Sequence, residues 1–247
     1  MENVIEVKNL TKKYGKLIAV DDISFEVEKG EIFALLGENG AGKTTTLEMI
    51  EGLRKPTSGE IKVLGQDVKN HLNDIKQKIG VQLQSSAYFD NLKLKEILEL
   101  FGGFYKMHLY PARLFKMVGL ESKANQYIRN LSGGQKQRFS IIASLINDPE
   151  IVFLDEPTTG LDPIARRNTW EIISQIKKQG KTIVLTTHYM EEAEILCDRV
   201  AIMDKGKIIV IDDPRRLVEK ASGASNLEDV FIELTGKNIT DEDNRNV

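Results

Sequence analysis

The apolar residues of this chain follow two periodicities, which separate predicted strands from predicted helices. Alternation of apolar and polar positions at residues 4–7 and 23–27 is typical of half-buried antiparallel strands. Short, mainly apolar runs predict buried strands at residues 31–36, 151–154 and 182–186. A further short strand is predicted at residues 79–83. Helical spacing of apolar residues predicts helices. They lie at residues 43–52, across most of 92–146, and at 163–179, 190–197 and 227–234.

The order of these elements predicts the fold class. Buried strands that alternate with helices indicate an α/β fold with a parallel sheet and crossover helices. The alternating segments near the N-terminus, together with Ser58–Val63, add a small antiparallel β subdomain. We predict one domain over residues 1–236. Its core is formed by residues 1–84 and 147–236, its inserted α-helical subdomain by residues 85–146, and a polar tail follows at residues 237–247.

Composition narrows the classes of protein that fit. Of 247 residues, 41% are hydrophobic and 29% are charged, as in a water-soluble globular protein. The 34 basic and 37 acidic residues leave a net charge of −3, so no nucleic-acid partner is expected. The single cysteine, Cys197, cannot form an internal disulfide and fits a reducing, cytoplasmic setting. No apolar run approaches the roughly 20 residues of a membrane span, and residues 1–10 lack the apolar core of a secretory signal.

A glycine-rich segment after the strand predicted at residues 31–36 matches the phosphate-binding pattern G-x-x-x-x-G-K-[ST]. Its residues are Gly37, Glu38, Asn39, Gly40, Ala41, Gly42, Lys43 and Thr44. The glycines allow successive backbone N–H groups to point at an anion, and the helix that begins near Lys43 adds its positive dipole end. We expect Lys43 to contact the β- and γ-phosphates of ATP, Thr44 to ligate Mg²⁺, and Thr45 to contact the α-phosphate.

A second segment suited to anion binding lies about a hundred residues later. It consists of Leu131 followed by Ser132, Gly133, Gly134 and Gln135, and an apolar helical stretch comes after it. Ser132 is a favourable N-cap, and the two glycines permit a close approach of backbone and ligand. An ordinary capped helix start would have the same features. The presence of a phosphate loop in the same chain favours a second phosphate contact.

Two adjacent carboxylates, Asp155 and Glu156, follow the strand predicted at residues 151–154. Ligands of open α/β sheets bind at the carboxyl ends of the strands. Asp155 is placed to hold Mg²⁺ through its water shell. Glu156 is placed to polarise an attacking water as a general base. The pair therefore predicts hydrolysis of a nucleotide.

These motifs resemble the nucleotide-binding subunit of ABC transporters, because Leu-Ser-Gly-Gly-Gln at residues 131–135 is the signature string of that family. The resemblance covers nearly the whole chain and implies a P-loop NTPase core of the RecA-like type. It also implies a head-to-tail dimer of two ATPase subunits around two ATP molecules. The signature residues then contact the ATP held by the other chain.

The resemblance also implies roles for Gln84 and His188. Gln84 matches the glutamine that ligates Mg²⁺ or holds the attacking water. Gln82 is the nearby alternative, and we prefer Gln84 because it follows the strand. His188 matches the switch histidine that senses the γ-phosphate, and an imidazole can both donate and accept a hydrogen bond.

Two further roles follow from the resemblance. Tyr14 matches the aromatic residue that stacks on adenine, although it also fits a turn tyrosine packed on the first sheet. Asp162 matches a contact with the opposing subunit, and it also fits the N-cap of the helix that starts at Pro163. His71 and His108 lie in polar or helical stretches and receive no functional role.

The resemblance implies a separate integral membrane permease as partner, so we expect the chain to lie on the inner face of the cell membrane. Residues 156–163, 187–193 and 227–236 resemble exporters of drugs, lipids, polysaccharides or ions. The ATPase of an uptake system has the same core and is the first alternative. A soluble ABC ATPase is less compatible. Members that act on DNA need a long coiled coil, for which the interval between Lys43 and Ser132 is too short, and members that act on the ribosome usually carry two ATPase domains in one chain, whereas this chain has one phosphate-binding loop.

Overall fold

The computed structural model describes residues 2–84, 88–221 and 223–236. Its strands are β1 Asn3–Tyr14, β2 Leu17–Glu28, β3 Ile32–Leu36, β4 Ser58–Val63, β5 Gln66–Asp67, β6 Ile79–Gln82, β7 Ile151–Asp155, β8 Thr182–Thr187, β9 Arg199–Asp204 and β10 Lys207–Asp212. Its α-helices are α1 Lys43–Ile50, α2 Val68–Lys76, α3 Leu94–Gly102, α4 Pro111–Met117, α5 Gly133–Ala143, α6 Pro163–Lys178, α7 Met190–Leu196, α8 Pro214–Lys220 and α9 Leu227–Thr235. Short 3₁₀ turns lie at Glu121–Lys123 and Ile128–Asn130.

The strands form two sheets. An antiparallel sheet has the order β2-β1-β4-β5. A second sheet has the order β10-β9-β3-β8-β7-β6, in which every pair is parallel except β10 with β9. Every residue of β3, β7 and β8 is buried, which explains why β3 and β7 are apolar almost throughout and why β8 combines apolar residues with threonine only. The predicted α/β fold with an antiparallel β subdomain is confirmed.

The second sheet separates two hydrophobic cores. Phe33 and Leu35 of β3 pack with the antiparallel sheet and α1, whereas Ala34 and Leu36 pack with the helices on the other face. The phosphate-binding segment begins where β3 ends, and Asp155 is the last residue of the neighbouring β7. The carboxyl ends of parallel strands meet at one edge of a sheet, so the fold brings the predicted site together there.

The structure differs from the expected elements in three places. The helical stretch predicted over residues 92–146 is divided into α3, α4, two 3₁₀ turns and α5. The short helices α2 and α8 are not evident from apolar spacing, because each buries only two residues. Each begins at an aspartate N-cap: Asp67 accepts from the Asn70 N–H (3.0 Å) and Asp213 from the Arg215 N–H (2.8 Å).

The predicted tail, residues 237–247, lies outside the described residues. In the described part of the chain, no helix combines the length and the apolarity that a membrane crossing requires.

Candidate functional site

The loop between β3 and α1 encloses the side chain of Lys43. Its Nζ donates to the carbonyl oxygens of Gly37 (2.8 Å) and Glu38 (3.0 Å). Gly42 has a φ of 102°, and a Cβ at this position would lie 2.5 Å from the Ala19 carbonyl oxygen, so only glycine fits. Burial lowers the pKa of Lys43, and nearby carboxylates oppose this shift. The lysine is therefore fixed by backbone acceptors at the start of α1.

Asp155 lies opposite Thr186 of β8 and next to Thr44 of α1. Its Oδ1 accepts hydrogen bonds from Thr44 Oγ1 (3.1 Å) and from the Thr186 hydroxyl. Burial raises the pKa of Asp155, and these two hydrogen bonds lower it. Hydroxyl and carboxylate oxygens suit Mg²⁺, which takes one or two protein ligands and completes its shell with water and phosphate. The described residues contain no group of three or more His, Cys, Asp or Glu that forms a self-contained metal site.

Glu156 is the centre of a network of hydrogen bonds. Its Oε1 lies 3.4 Å from His188 Nδ1. Its Oε2 accepts from Gln84 Nε2 (3.2 Å) and from Thr159 Oγ1 (3.0 Å). Its φ of 47° lies in the left-handed region, which is unusual for a glutamate and typical of functional sites. Three polar side chains thus fix the orientation of this carboxylate.

The charge state of Glu156 follows from its neighbours. Burial raises its pKa, but the neighbouring His188 and the charge of Lys43 together lower it to about 2. Glu156 is therefore ionised and, in this arrangement, a weak base. A phosphate that drew Lys43 towards itself would remove one of these charge interactions. The carboxylate would then become a stronger base while a substrate is bound.

A cleft of about 670 Å³ opens in front of the phosphate-binding loop. Its lining comes from the β1–β2 hairpin, the loop, and the network around Glu156: Tyr14, Leu17, Ile18, Ala19, Asn39, Gly40, Gly42, Lys43, Thr44, Thr45, Gln84, Glu156 and Lys205. Tyr14 is 40% exposed, with Lys12 Nζ 5.1 Å and Arg54 Cζ 5.6 Å from the centre of its ring. An aromatic face therefore lies at the same cleft as the phosphate-binding loop.

The signature segment forms the N-terminus of α5 in a separate place. Ser132 and Gln135 form a capping box, in which the Ser132 N–H donates to Gln135 Oε1 (3.0 Å) and the Gln135 N–H to Ser132 Oγ (3.4 Å). A Cβ on Gly134 would lie 3.0 Å from Ala165 Cβ, whereas one on Gly133 would meet no atom of the described residues within 4 Å. Gly134 thus allows α5 and α6 to pack closely, and Gly133 leaves space above the helix start.

A shallow pocket surrounds this helix start. It is lined by Ser132, Gly133, Gly134, Gln135, Arg138, Gly160, Leu161, Asp162, Ile164, Ala165 and Asn168. Asp162 caps α6 as the sequence predicts, since its Oδ1 accepts from the N–H groups of Ile164 (3.0 Å) and Ala165 (2.9 Å). In the described part of the chain, this pocket shares no lining residue with the cleft at the phosphate-binding loop.

The two candidate glutamines lie in different surroundings. Gln82 is buried, and its Nε2 donates to the backbone oxygens of Leu83 (2.7 Å) and Asp155 (3.5 Å). Gln84 lines the cleft and contacts Glu156. The geometry therefore favours the preference for Gln84. His71 and His108 are exposed and line neither the cleft nor the shallow pocket.

Three contributors to the site are not evident from the motifs. Thr159 hydrogen-bonds Glu156, Thr186 hydrogen-bonds Asp155, and Lys205 lines the cleft. Thr186 has no sequence signal of its own, because β8 also contains Thr182 and Thr187. Lys205 belongs to the turn between β9 and β10 and reaches the cleft only through the order of the strands.

Comparisons with known proteins agree with this geometry. A family model described as ABC transporter matches residues 20–159. The Nod factor export ATP-binding protein I of Burkholderia orbicola (strain AU 1054) is 42% identical over 229 residues, which are 91% of this chain and 75% of that protein. The probable multidrug ABC transporter ATP-binding protein YbhF of Escherichia coli (strain K12) is 41% identical over 94% of this chain and 42% of its own length.

Two solved structures extend the comparison. An ATP-binding subunit of an ABC transporter superposes with a TM-score of 0.83 and 29% identity, over 94% of this chain and 99% of that one. The dimeric ATP-binding cassette MJ0796, in a post-hydrolysis state bound to ADP and Pi, superposes with a TM-score of 0.77 and 29% identity. It covers 85% of this chain and 98% of MJ0796.

Proposed function

We propose that this chain, which belongs to the ABC transporter family and is an ATP-binding and ATP-hydrolysing subunit, is the motor of an exporter. Two relatives support export, because their names describe them as a Nod factor export ATP-binding protein and a probable multidrug ABC transporter ATP-binding protein. The ATPase of an uptake system remains the alternative, since its core has the same motifs. A soluble, non-transport ATPase of this family is the less favoured second alternative.

The observation that carries the proposed motor action is the separation of the two anion sites on one chain, whereas the export direction is supported by the relatives. The cleft holds the phosphate-binding loop, and the exposed start of α5 with Ser132 and Gly133 faces a different pocket. In a head-to-tail dimer, the signature of each chain would complete the cleft of the other. The dimeric form of MJ0796 supports this arrangement. Each ATP would thereby bind two chains together.

Within each cleft the residues would divide the work of hydrolysis. Tyr14 would stack on adenine, Lys43 would bind the β- and γ-phosphates, and Thr45 would contact the α-phosphate. Glu156 would take a proton from the water that attacks the γ-phosphorus, while the bond from this phosphorus to the β–γ bridging oxygen breaks. Gln84 and His188 would orient this water and the γ-phosphate, because Gln84 Nε2 donates to the Glu156 carboxylate and His188 Nδ1 lies 3.4 Å from it.

Thr44 and Asp155 fit a magnesium ion, since their oxygens lie 3.1 Å apart beside the phosphate-binding loop. When bound, Mg²⁺ would neutralise the charge that develops on the phosphates. Gln84 is a third candidate ligand. The Thr186 hydroxyl would keep Asp155 in the orientation that it has here.

Transport requires a separate membrane subunit, to which this chain would bind from the cytoplasmic face. We expect the α3–α5 region and the segment after Gln84 to form the docking surface. ATP would close the dimer, because the contacts between α5 and the phosphates exist only in the closed state. Such differential contacts can shift a conformational equilibrium. Hydrolysis and phosphate release would remove these contacts and reopen the dimer.

The variant Glu156→Gln tests this cycle. We expect it to bind ATP and to accumulate as a dimer on a sizing column, because hydrolysis no longer removes the γ-phosphate. The exposed Glu171→Gln on α6 is a charge-matched control and should elute as the wild type does. A Glu156→Gln protein that stays monomeric with ATP and hydrolyses it at the normal rate would refute this cycle of dimerisation and hydrolysis.

A further inference from the structure

A carboxyl group inside the protein joins two elements behind the ATP cleft. Glu192 of α7 has no exposed surface, and its Oε1 accepts hydrogen bonds from Thr158 Oγ1 (2.8 Å) and from Trp170 Nε1 (2.9 Å). Thr158 and Trp170 are buried as well. Thr158 lies in the segment between β7 and α6, and Trp170 lies on α6. None of the three residues lines the ATP cleft or the pocket at the signature.

A buried carboxyl at this position needs a physical reason. Burial raises the pKa of Glu192, and hydrogen bonds from Thr187, Thr158 and Trp170 oppose this shift. An apolar side chain of similar size would avoid the unfavourable burial of a polar group. The carboxyl, however, supplies one oxygen that two donors share. It thereby fixes the position of Thr158 relative to α6 and α7.

Thr158 lies next to a residue that orients the proposed general base. The exposed Thr159 donates its hydroxyl to Glu156 Oε2 (3.0 Å), and its backbone N–H donates to the Glu156 carbonyl oxygen (3.2 Å). Glu156 itself has a φ of 47°, and such a backbone conformation persists only where the surroundings fix it. The anchoring of Thr158 therefore controls where the Thr159 hydroxyl holds the Glu156 carboxylate.

Glu192 also lies close in sequence to the histidine on the other side of this carboxylate. Helix α7, which contains Glu192, begins at Met190, two residues after His188. His188 Nδ1 lies 3.4 Å from Glu156 Oε1, whereas Thr159 contacts Oε2. Glu192 thus joins the segments that carry the neighbours of both oxygens of Glu156.

A second contact joins α6 to the start of α7 and does not involve Glu192. Arg166 Cζ lies 5.6 Å from the centre of the Trp170 ring and 5.3 Å from that of Tyr189. The rings of Tyr189 and His188 have their centres 4.1 Å apart. A phenylalanine at position 170 would keep this stack and lose only the N–H group.

We propose that Glu192 is a positioning residue for ATP hydrolysis, which holds the Glu156 carboxylate, through Thr158 and Thr159, in the orientation that accepts a proton from the attacking water. The inference rests on the proposed role of Glu156 and deepens it. Loss of the Glu192–Thr158 hydrogen bond should slow proton transfer. It should leave ATP binding nearly unchanged, because the phosphate-binding loop belongs to another segment.

Two substitutions that each remove one donor to Glu192 separate positioning from stability. Thr158→Val loses the hydroxyl, and Trp170→Phe loses the indole N–H, so we expect both to lower the melting temperature. We expect only Thr158→Val to lower kcat, by about tenfold, with a change in KM of less than about threefold. A kcat of Thr158→Val that is not lower than that of Trp170→Phe would overturn the inference.

Substitutions of Glu192 itself give a second comparison, in which shape and hydrogen bonding are separated. Glu192→Gln keeps an oxygen that can accept from both donors, so its kcat should stay within about threefold of the wild type. Glu192→Met keeps the length without an acceptor, and its kcat should fall about tenfold. Equal kcat values in Glu192→Gln and Glu192→Met would contradict the role of the shared oxygen. If Glu192→Met does not fold, the comparison of Thr158→Val with Trp170→Phe decides.

A double variant tests whether the two residues act as one unit. Glu192→Met combined with Thr158→Val should be no slower than Glu192→Met, because both substitutions remove the same contact. A kcat that falls by the product of the two single effects would show that the residues act independently, and the inference would be wrong.

Glu156→Gln, assayed in parallel, distinguishes failure of this inference from failure of the function on which it rests. A wild-type kcat in Glu156→Gln would refute the proposed role of Glu156. Loss of activity in Glu156→Gln together with a wild-type kcat in Thr158→Val would overturn only the role of Glu192.

The indole N–H of Trp170 reports on the cluster without reference to activity, since the chain has one tryptophan. In a nitrogen–proton correlation spectrum, its cross-peak should move in Glu192→Met and stay close to the wild-type position in Thr158→Val. An equally large movement in Thr158→Val would show that the whole cluster rearranges, which would overturn the specific role of the Thr158 contact.

Discussion

Lys43 and Glu156 form a buried ion pair across the ATP cleft, with Nζ and Oε1 3.5 Å apart and both side chains at most 5% exposed. The lysine that we assign to the phosphates is thus held by the carboxylate that we assign to the attacking water. ATP must compete with Glu156 for Lys43. The pair links substrate binding to the basicity of Glu156, because loss of the lysine charge raises the pKa of the carboxylate.

This competition predicts the affinity of Glu156→Gln for ATP. The substitution frees Lys43 and removes a negative charge next to the γ-phosphate. We expect the Kd of a non-hydrolysable ATP analogue to fall about tenfold, or about 1.4 kcal/mol. Titration calorimetry measures it, with Glu171→Gln as the control for charge. An unchanged or weaker affinity would show that the ion pair does not compete with the nucleotide.

Substitution of His188 should lower the rate of ATP hydrolysis more than it weakens the binding of ATP. Its Nδ1 lies 3.4 Å from Glu156 Oε1 and helps to fix this carboxylate. We expect His188→Ala to lower kcat by about 10²-fold, in the range of general acid–base effects, with a change in KM of less than threefold. A steady-state phosphate-release assay gives both constants. The exposed His108→Ala is the control, and a wild-type kcat in His188→Ala would exclude the assigned role.

The ionisation of the buried Glu51 carboxyl should make the free energy of unfolding depend on pH. Its unfolded-state carboxyl ionises near pH 4.5 and its folded-state carboxyl only near pH 8, so the folded state holds an extra proton between these values. The stability of the wild type therefore falls as the pH rises through this window, and the loss is complete above pH 8. Glu51→Gln has no such proton. We expect its melting temperature, relative to wild type, to rise by roughly 5–10 °C from pH 5 to pH 8.5.

Circular dichroism melts of the two proteins in matched buffers measure this difference. Groups that titrate equally in both proteins cancel in the comparison. A difference that stays constant across the pH range would mean that Glu51 ionises in the folded chain as an ordinary glutamate does.

Substitution of the two signature glycines, Gly133 and Gly134, by alanine should affect stability and ATPase rate differently. A Cβ on Gly134 lies 3.0 Å from Ala165 Cβ, so Gly134→Ala should cost about 1–3 kcal/mol of stability through overpacking of α5 against α6. A Cβ on Gly133 meets no atom within 4 Å in the part of the chain that the structure describes. Gly133→Ala should therefore keep the wild-type stability and lose at least tenfold of the ATPase rate, because its methyl group occupies space that we assign to the partner chain's phosphates.

Urea unfolding gives the two stabilities, and the phosphate-release assay gives the rates. Equal destabilisation by both substitutions would show that the signature is a structural helix cap only. Wild-type hydrolysis in a stable Gly133→Ala protein would exclude the close approach of phosphate to this helix start.

The sequence by itself determined the fold class and most of the candidate site. Fully buried strands such as β3 and β7 must be apolar throughout, and a phosphate-binding loop must have glycine where the backbone turns back, as at Gly42. Both requirements are local, so they are visible in the order of residues. The Asp155-Glu156 pair is visible for the same reason, since it interrupts an apolar strand.

Only the tertiary structure decided which side chains meet. Thr186 reaches Asp155 because β8 lies beside β7 in the sheet, and Gln84 reaches Glu156 across 72 positions of the chain. The surroundings of Glu51 are also decided by packing: Arg54, its nearest basic neighbour in sequence, pairs with Glu48, and no side chain or backbone group of the described residues hydrogen-bonds the Glu51 carboxyl. Contacts between distant segments depend on strand order and helix packing, which local patterns do not encode.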